Sequence, residues 1–150
     1  MSYLFAFEAD FADSLRCIPM IVRYKLDTCG VKLKLPEWNQ LGAKEREQLV
    51  TLPCETATEI ANYRSQLRQW VVNQSGQVPA DLPIEPHPPW MNTATIPLSV
   101  QEKAQSLDQS LTLDQWISLT PLQRFALIKL SRSQHENRNF LPALQEFELA

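Results

Sequence analysis

Apolar residues recur at helical spacing along most of the chain, and two stretches share a single register. Residues 18–52 and 96–130 align without a gap at an offset of 78. Ile18, Pro19, Val22, Lys25, Leu33, Leu35, Trp38, Leu41, Arg46, Leu49 and Leu52 are matched by Ile96, Pro97, Val100, Lys103, Leu111, Leu113, Trp116, Leu119, Arg124, Leu127 and Leu130. These are 11 identities in 35 positions, where average composition gives roughly two. The pattern predicts a duplicated three-helix unit, with the paired indoles and leucines in the interior.

Local stop and start signals divide the pattern into elements. Residues 3–7 alternate loosely and predict a short extended arm with Tyr3, Phe5 and Phe7 on one side; residues 9–17 predict a short helix. Pro19 opens a helix to about Thr28, and Gly30 supplies a left-handed end. After a connection at 31–35, Pro36 starts a helical turn carrying Trp38 and Leu41. Gly42 with Glu45 begins a helix to about Leu52, where Pro53 stops it. Thr56 and Glu59 form a capping box for the longest helix, 57–73, with Ala57, Ile60, Ala61, Leu67, Trp70 and Val71 on its apolar side and Gly76 after it.

Residues 77–95 hold Pro79, Pro83, Pro86, Pro88 and Pro89, and predict an extended connector anchored by Leu82, Ile84 and Trp90. The second copy is capped more clearly, by Pro97, Thr112 with Gln115, and Thr120 with Gln123. Leu122, Phe125, Ala126, Leu127, Ile128 and Leu130 cover most of one helix's circumference, which predicts a buried central helix at 121–131. A polar connection capped by Asn139 leads to a last helix, 140–148, presenting Phe140, Leu141, Leu144 and Phe147. The fold class that follows is all-α, one domain over 1–150.

Composition fits a soluble globular domain, with 44% hydrophobic and 21% charged residues among 150. A net charge of −3 gives no general attraction to nucleic acid or anionic membrane. No apolar run approaches the roughly 20 residues that span a bilayer, and no targeting signal is visible, so the expected location is the cytoplasm. Lys and Arg nevertheless cluster locally. Arg16, Arg23, Lys25, Lys32 and Lys34 face only Asp27 across 16–34, a candidate patch for an acidic partner. The stretch Ser131–Asn139, with Arg132, His135, Glu136, Asn137, Arg138 and Asn139, is the densest polar segment and the second candidate contact surface. Arg46 and Arg124, in otherwise apolar helices, predict structural tethers to carbonyls, carboxylates or the indoles of Trp38 and Trp116.

Catalytic material is sparse. His87 and His135 are the only histidines, and glycines stand only at 30, 42 and 76, so no phosphate-cradling loop can form. Cys17, Cys29 and Cys54 are the one set that could bind metal or work in redox delivery, and their wide spacing is unlike zinc or cluster loops. The expectation is no enzyme, no cofactor and no catalytic residue.

Several long segments also resemble the nitrate reductase-associated protein family of cyanobacteria. They are F-A-F-E-A-D-F (5–11), D-S-L-R-C-I-P-M-I-V-R-Y-K-L-D-T-C-G-V-K-L-K-L (13–35), L-P-C (52–54), I-P-L-S-V-Q-E-K-A (96–104) and the run from Leu119 to Ala143, which contains T-P-L-Q-R-F-A-L-I-K-L. The resemblance covers nearly the whole chain and is weakest over 74–90. It implies a non-catalytic accessory or maturation factor that binds the assimilatory nitrate reductase, a molybdenum and iron–sulfur enzyme, in the cytoplasm. It brings no catalytic residues with it. The competing class is a metal- or molybdenum-cofactor-delivery or redox protein using the three cysteines.

Overall fold

A computed structural model of the chain describes residues 4–8, 18–132 and 137–150. The helix expected over 9–17, and Tyr3 of the expected arm, lie outside the described residues. Two compact units are present, Met1–Ile84 and Glu85–Ala150, and each is built around its own helices.

In the first unit, α1 (Met20–Cys29), α2 (Leu35–Gln40), α3 (Ala43–Thr51) and α4 (Ala57–Ser75) enclose a core of Val22, Leu26, Leu33, Trp38, Leu49, Tyr63, Leu67 and Val71. Pro19 precedes the first turn of α1, and Gly30 ends it at φ 78°, donating its N–H to the Leu26 carbonyl at 2.9 Å. Glu45 closes back on the Gly42 N–H at 3.0 Å. Thr56 and Glu59 exchange both bonds of the expected box at the start of α4. On α4 the buried residues are Tyr63, Leu67 and Val71. Ala57 and Ala61 are exposed, a correction to the expected apolar side: the stripe that meets α1, α2 and α3 passes through Tyr63 instead.

The purely helical expectation is also corrected. Val31–Lys32 (β1) and Ala80–Asp81 (β2) pair antiparallel, with Val31 opposite Asp81 and Lys32 opposite Ala80. The Leu82 N–H extends the ladder to the Gly30 carbonyl at 2.9 Å. Among the described residues the fold is therefore mainly helical with one small sheet. Gly30 is required where the two segments touch. A Cβ there would lie 2.8 Å from the Ile84 side chain and 3.0 Å from the Leu82 carbonyl oxygen. The expected aromatic arm is likewise replaced: residues Ala6–Glu8 form a 3-10 turn, and Phe5 stacks on Phe7 with centroids 5.3 Å apart.

In the second unit, α5 (Leu98–Ser106), α6 (Leu113–Ser118) and α8 (Phe140–Glu146) accompany α7 (Pro121–Arg132). Thr112 with Gln115 and Thr120 with Gln123 form the reciprocal caps. Helix α7 is buried nearly all round: Arg124, Phe125, Ala126, Leu127, Ile128 and Leu130 are all inside. It packs against α5, α8 and the short 3-10 turns Pro89–Met91 and Asn137–Asn139. Trp90 meets the Phe125 ring edge-on at 4.9 Å. Asn139 precedes α8 but makes no side-chain cap bond, because the chain enters that helix already wound as a 3-10 turn.

Candidate functional site

Among the expected contact residues, Lys32 and Lys34 are exposed on an extended stretch in which Val31 and Leu33 are buried. Side chains alternate along extended backbone, so burying the two apolar residues puts both ammonium groups outside. Arg23 is half-buried, and its Nε donates to the Ile18 carbonyl at 2.9 Å. Lys25 does not belong to this surface, which corrects its place in the basic cluster. It is 8% exposed, and its ammonium donates to the Val50 and Leu52 carbonyls, each at 2.6 Å. The physical reason lies in α3. That helix stops at Thr51 ahead of Pro53, which leaves its last carbonyls without helical partners. Lys25, on the inner face of α1, satisfies them and lies 5.7 Å from the Tyr63 ring centroid. Burial lowers the Lys25 pKa below its ordinary 10.5.

Arg16, Cys17, His135 and Glu136 lie outside the described residues. Arg132 and Arg138 are exposed, Asn139 is half-buried, and Asn137 falls in the turn before α8. The described part of that segment therefore places two guanidinium groups on the surface of the second unit.

The two Trp–Arg pairs have different hydrogen-bond partners. Arg124, 5% exposed, donates from Nε to the Trp90 carbonyl at 2.7 Å and from Nη1 to the Trp116 and Leu119 carbonyls at 3.3 and 2.5 Å. The Trp116 indole N–H donates to the Asn92 carbonyl at 3.1 Å. Arg124 is thus a tether to main-chain oxygens. In the first unit, Trp38 is 2% exposed, yet its Nε1 and the buried Nη1 of Arg46 have no acceptor among the described residues.

Three groups missed from the sequence hold parts of the first unit together: Tyr63 and Glu8 are buried, and Arg64 is half-buried. The Tyr63 hydroxyl donates to the Leu49 carbonyl at 2.7 Å, and burial pushes its pKa up. The Glu8 carboxylate, 2% exposed, accepts from the Met20 N–H at 3.0 Å, capping α1 from a distance. The Arg64 guanidinium holds the Cys29 and Gly30 carbonyls at 3.1 and 2.9 Å and the Asp81 carboxylate at 2.6 Å. It keeps that carboxyl below its usual range. Tyr63 could have been found from its spacing with Ile60, Leu67 and Val71; nothing local marks Glu8.

Cys29 and Cys54 are placed for packing. Both are buried and reduced, and burial pushes their thiols up to about 11 and about 12. A thiol so raised is protonated near neutrality, and it is the thiolate that ligates or attacks. Among the described residues no three His, Cys, Asp or Glu side chains are grouped to hold a metal ion. A shallow apolar groove of about 680 Å³ lies over the ladder, lined by Thr28, Cys29, Gly30, Ile60, Arg64 and Ile84 among others. No helix among the described residues is long and apolar enough to cross a membrane.

The model of the family described as conserved nitrate reductase-associated protein matches residues 4–147, and the chain belongs to that family. No curated protein and no solved structure matches it.

Proposed function

We propose that this member of the nitrate reductase-associated family is a non-catalytic accessory factor. It binds the assimilatory nitrate reductase in the cytoplasm and supports that enzyme's maturation or activity. The observation that carries the reading is the family match, which runs through both units rather than through one. The internal chemistry is consistent with it. The buried charged groups Glu8, Lys25 and Arg124 are spent on main-chain N–H and carbonyl groups that the helices and turns leave unpaired. What such a protein offers a partner is its outside: the lysines at 32 and 34 with Arg23 on the first unit, and Arg132 with Arg138 on the second. These are the proposed contact residues, together with the remainder of the 132–139 segment and Arg16.

The reading also takes the two units as copies of one helical module. Supporting it, α1, α2 and α3 begin at Met20, Leu35 and Ala43, and α5, α6 and α7 begin at Leu98, Leu113 and Pro121, 78 residues later in each case. Leu41 and Leu119 end the middle helices with the same bond, to the Trp38 and Trp116 carbonyls, at 3.2 Å.

The experiment is to purify the reductase from cells with and without this protein, then compare molybdenum and iron content and specific activity. The reading expects a drop in activity in its absence, with metal content separating a role in cofactor insertion from one in sustaining the finished enzyme. Equal activity and equal metal in both preparations would overturn it.

A further inference from the structure

The first unit carries a path along α4 that its core does not use. Ala57, Ala61, Ser65, Arg68 and Val72 recur there at helical spacing, beside the buried stripe of Tyr63, Leu67 and Val71. The small side chains at 57, 61 and 65 leave a trough. Its far wall is the segment that enters and leaves β2, with Val78 at one end and Ile84 at the other. Two depressions follow one another along it. One is the groove over the ladder; the second, of about 420 Å³, lies between Arg68 and Val78. Ala61 and Arg64 line both, so the two run into each other.

Apolar exposure, charge and length together indicate an occupant. Val78 and Ile84 are 55% and 59% exposed, and with Leu35 they are the large apolar side chains that the described part of this unit leaves in water. Two of these three border the path. Arg64 is already occupied, holding the Asp81 carboxylate and two carbonyls. Arg68, one turn further on, is half-buried in the same wall and makes no hydrogen bond or ion pair among the described residues. Asp81 is the one carboxylate among the described lining residues, and Arg64 neutralises it. The path is therefore net positive in a chain of net charge −3, and its unbonded guanidinium matches a carboxylate in shape and charge. Lys32, exposed and paired across the ladder with Ala80, adds a second cation on the neighbouring strand. The stretch of helix from Ala57 to Val72 is about 22 Å long, the length of roughly six or seven extended residues. That span suits a peptide and exceeds any small anion.

We propose that this path docks an extended, acidic segment of the nitrate reductase. Apolar side chains of the segment lie on Val78, Ile84 and the alanines, and one of its carboxylates meets Arg68. The inference rests on the accessory-factor reading for the identity of the partner. It adds to the exposed lysines a site with a defined chemistry.

The test is calorimetry of the full chain with purified assimilatory nitrate reductase at physiological salt, followed by an array of synthetic peptides tiling the reductase sequence. Arg68→Glu and Val78→Asp each weaken reductase binding at least about 10-fold, a factor corresponding to about 1.4 kcal/mol. Gln66→Glu, at an exposed position of α4 outside the path, leaves binding unchanged and shows that added negative charge alone is not the cause. Array peptides that retain the wild type carry Asp or Glu among apolar residues and do not retain Arg68→Glu; replacing that acid by Lys restores binding to Arg68→Glu. Should thermal unfolding show that Arg68→Glu does not fold, Arg68→Gln reads the same contact. Reductase that binds Arg68→Glu and Val78→Asp as tightly as the wild type overturns the inference and leaves the accessory-factor reading standing. So do retained peptides that lack carboxylates. A reductase that does not bind the wild type overturns both.

Discussion

The Lys25 ammonium meets the Val50 carbonyl oxygen at 2.6 Å, inside the first unit. A residue that reads as part of a basic surface run is therefore the C-terminal cap of another helix, and the surface run is shorter by one charge. At the matching Lys103 the setting differs, because α7 runs on to Arg132 instead of stopping where α3 does. Replacing Lys25 by Met leaves the Val50 and Leu52 carbonyls unpaired in the core. The expected loss is about 2–3 kcal/mol of unfolding free energy, since bonds from charged donors contribute about 1.5–3. Urea unfolding of Lys25→Met measures it; a change within about 0.5 kcal/mol would show that water replaces the ammonium.

Arg124→Met should cost the second unit about 3 kcal/mol or more, because four main-chain oxygens lose a charged donor together. Arg124→Lys recovers only part of this, as a point ammonium cannot span carbonyls of two segments. Thermal unfolding of the two variants side by side checks the order, wild type above Lys above Met.

Gly30→Ala should destabilise the first unit by about 2 kcal/mol. A left-handed φ of 78° costs an L-residue roughly 1–2 kcal/mol, and the new methyl meets Ile84 and the Leu82 oxygen. At Gly76, also left-handed, nothing lies within 4 Å of an added Cβ, so Gly76→Ala should cost less. Equal losses would mean that crowding against β2 contributes nothing.

Stability should fall on the alkaline side. Unfolded thiols ionise near their ordinary 9.0, whereas the folded protein holds Cys29 protonated to about 11 and Cys54 to about 12. Between those values the unfolded state binds fewer protons, so unfolding becomes easier as pH rises from about 9. Lys25 acts in the opposite sense just below 10.5, since its folded pKa is lowered and the unfolded chain then binds more protons. The Cys54→Ala variant removes one thiol and should show a shallower decline from pH 9 to 11. Parallel declines in both proteins would assign the alkaline loss to other groups.

Much of the helix layout could be read from capping chemistry alone. Pro19, Gly30, the Thr56–Glu59 and Thr120–Gln123 boxes and Gly76 each have one backbone task that the residue type announces, and the all-round apolar run at 122–130 announced its burial. Lys25 was misplaced because its charge outweighed its position: it sits on the same α1 face as Val22, Leu26 and Cys29. The small ladder was invisible because two-residue strands carry no periodicity, and its bonds depend on Arg64 and Gly30, far apart in sequence. The contact surface is the least readable part. A partner recognises shape and charge, and neither Lys32 nor Lys34 differs locally from any solvated lysine.

The most direct measurement is binding of the purified protein to purified assimilatory nitrate reductase at physiological salt, by calorimetry, with the wild type and a Lys32→Glu/Lys34→Glu variant. The variant should keep its stability within about 0.5 kcal/mol, as exposed substitutions do. The account predicts a saturable complex with the wild type and at least about 10-fold weaker binding by the variant. No heat and no complex with the wild type, in either the apo or the metal-loaded reductase, would contradict it.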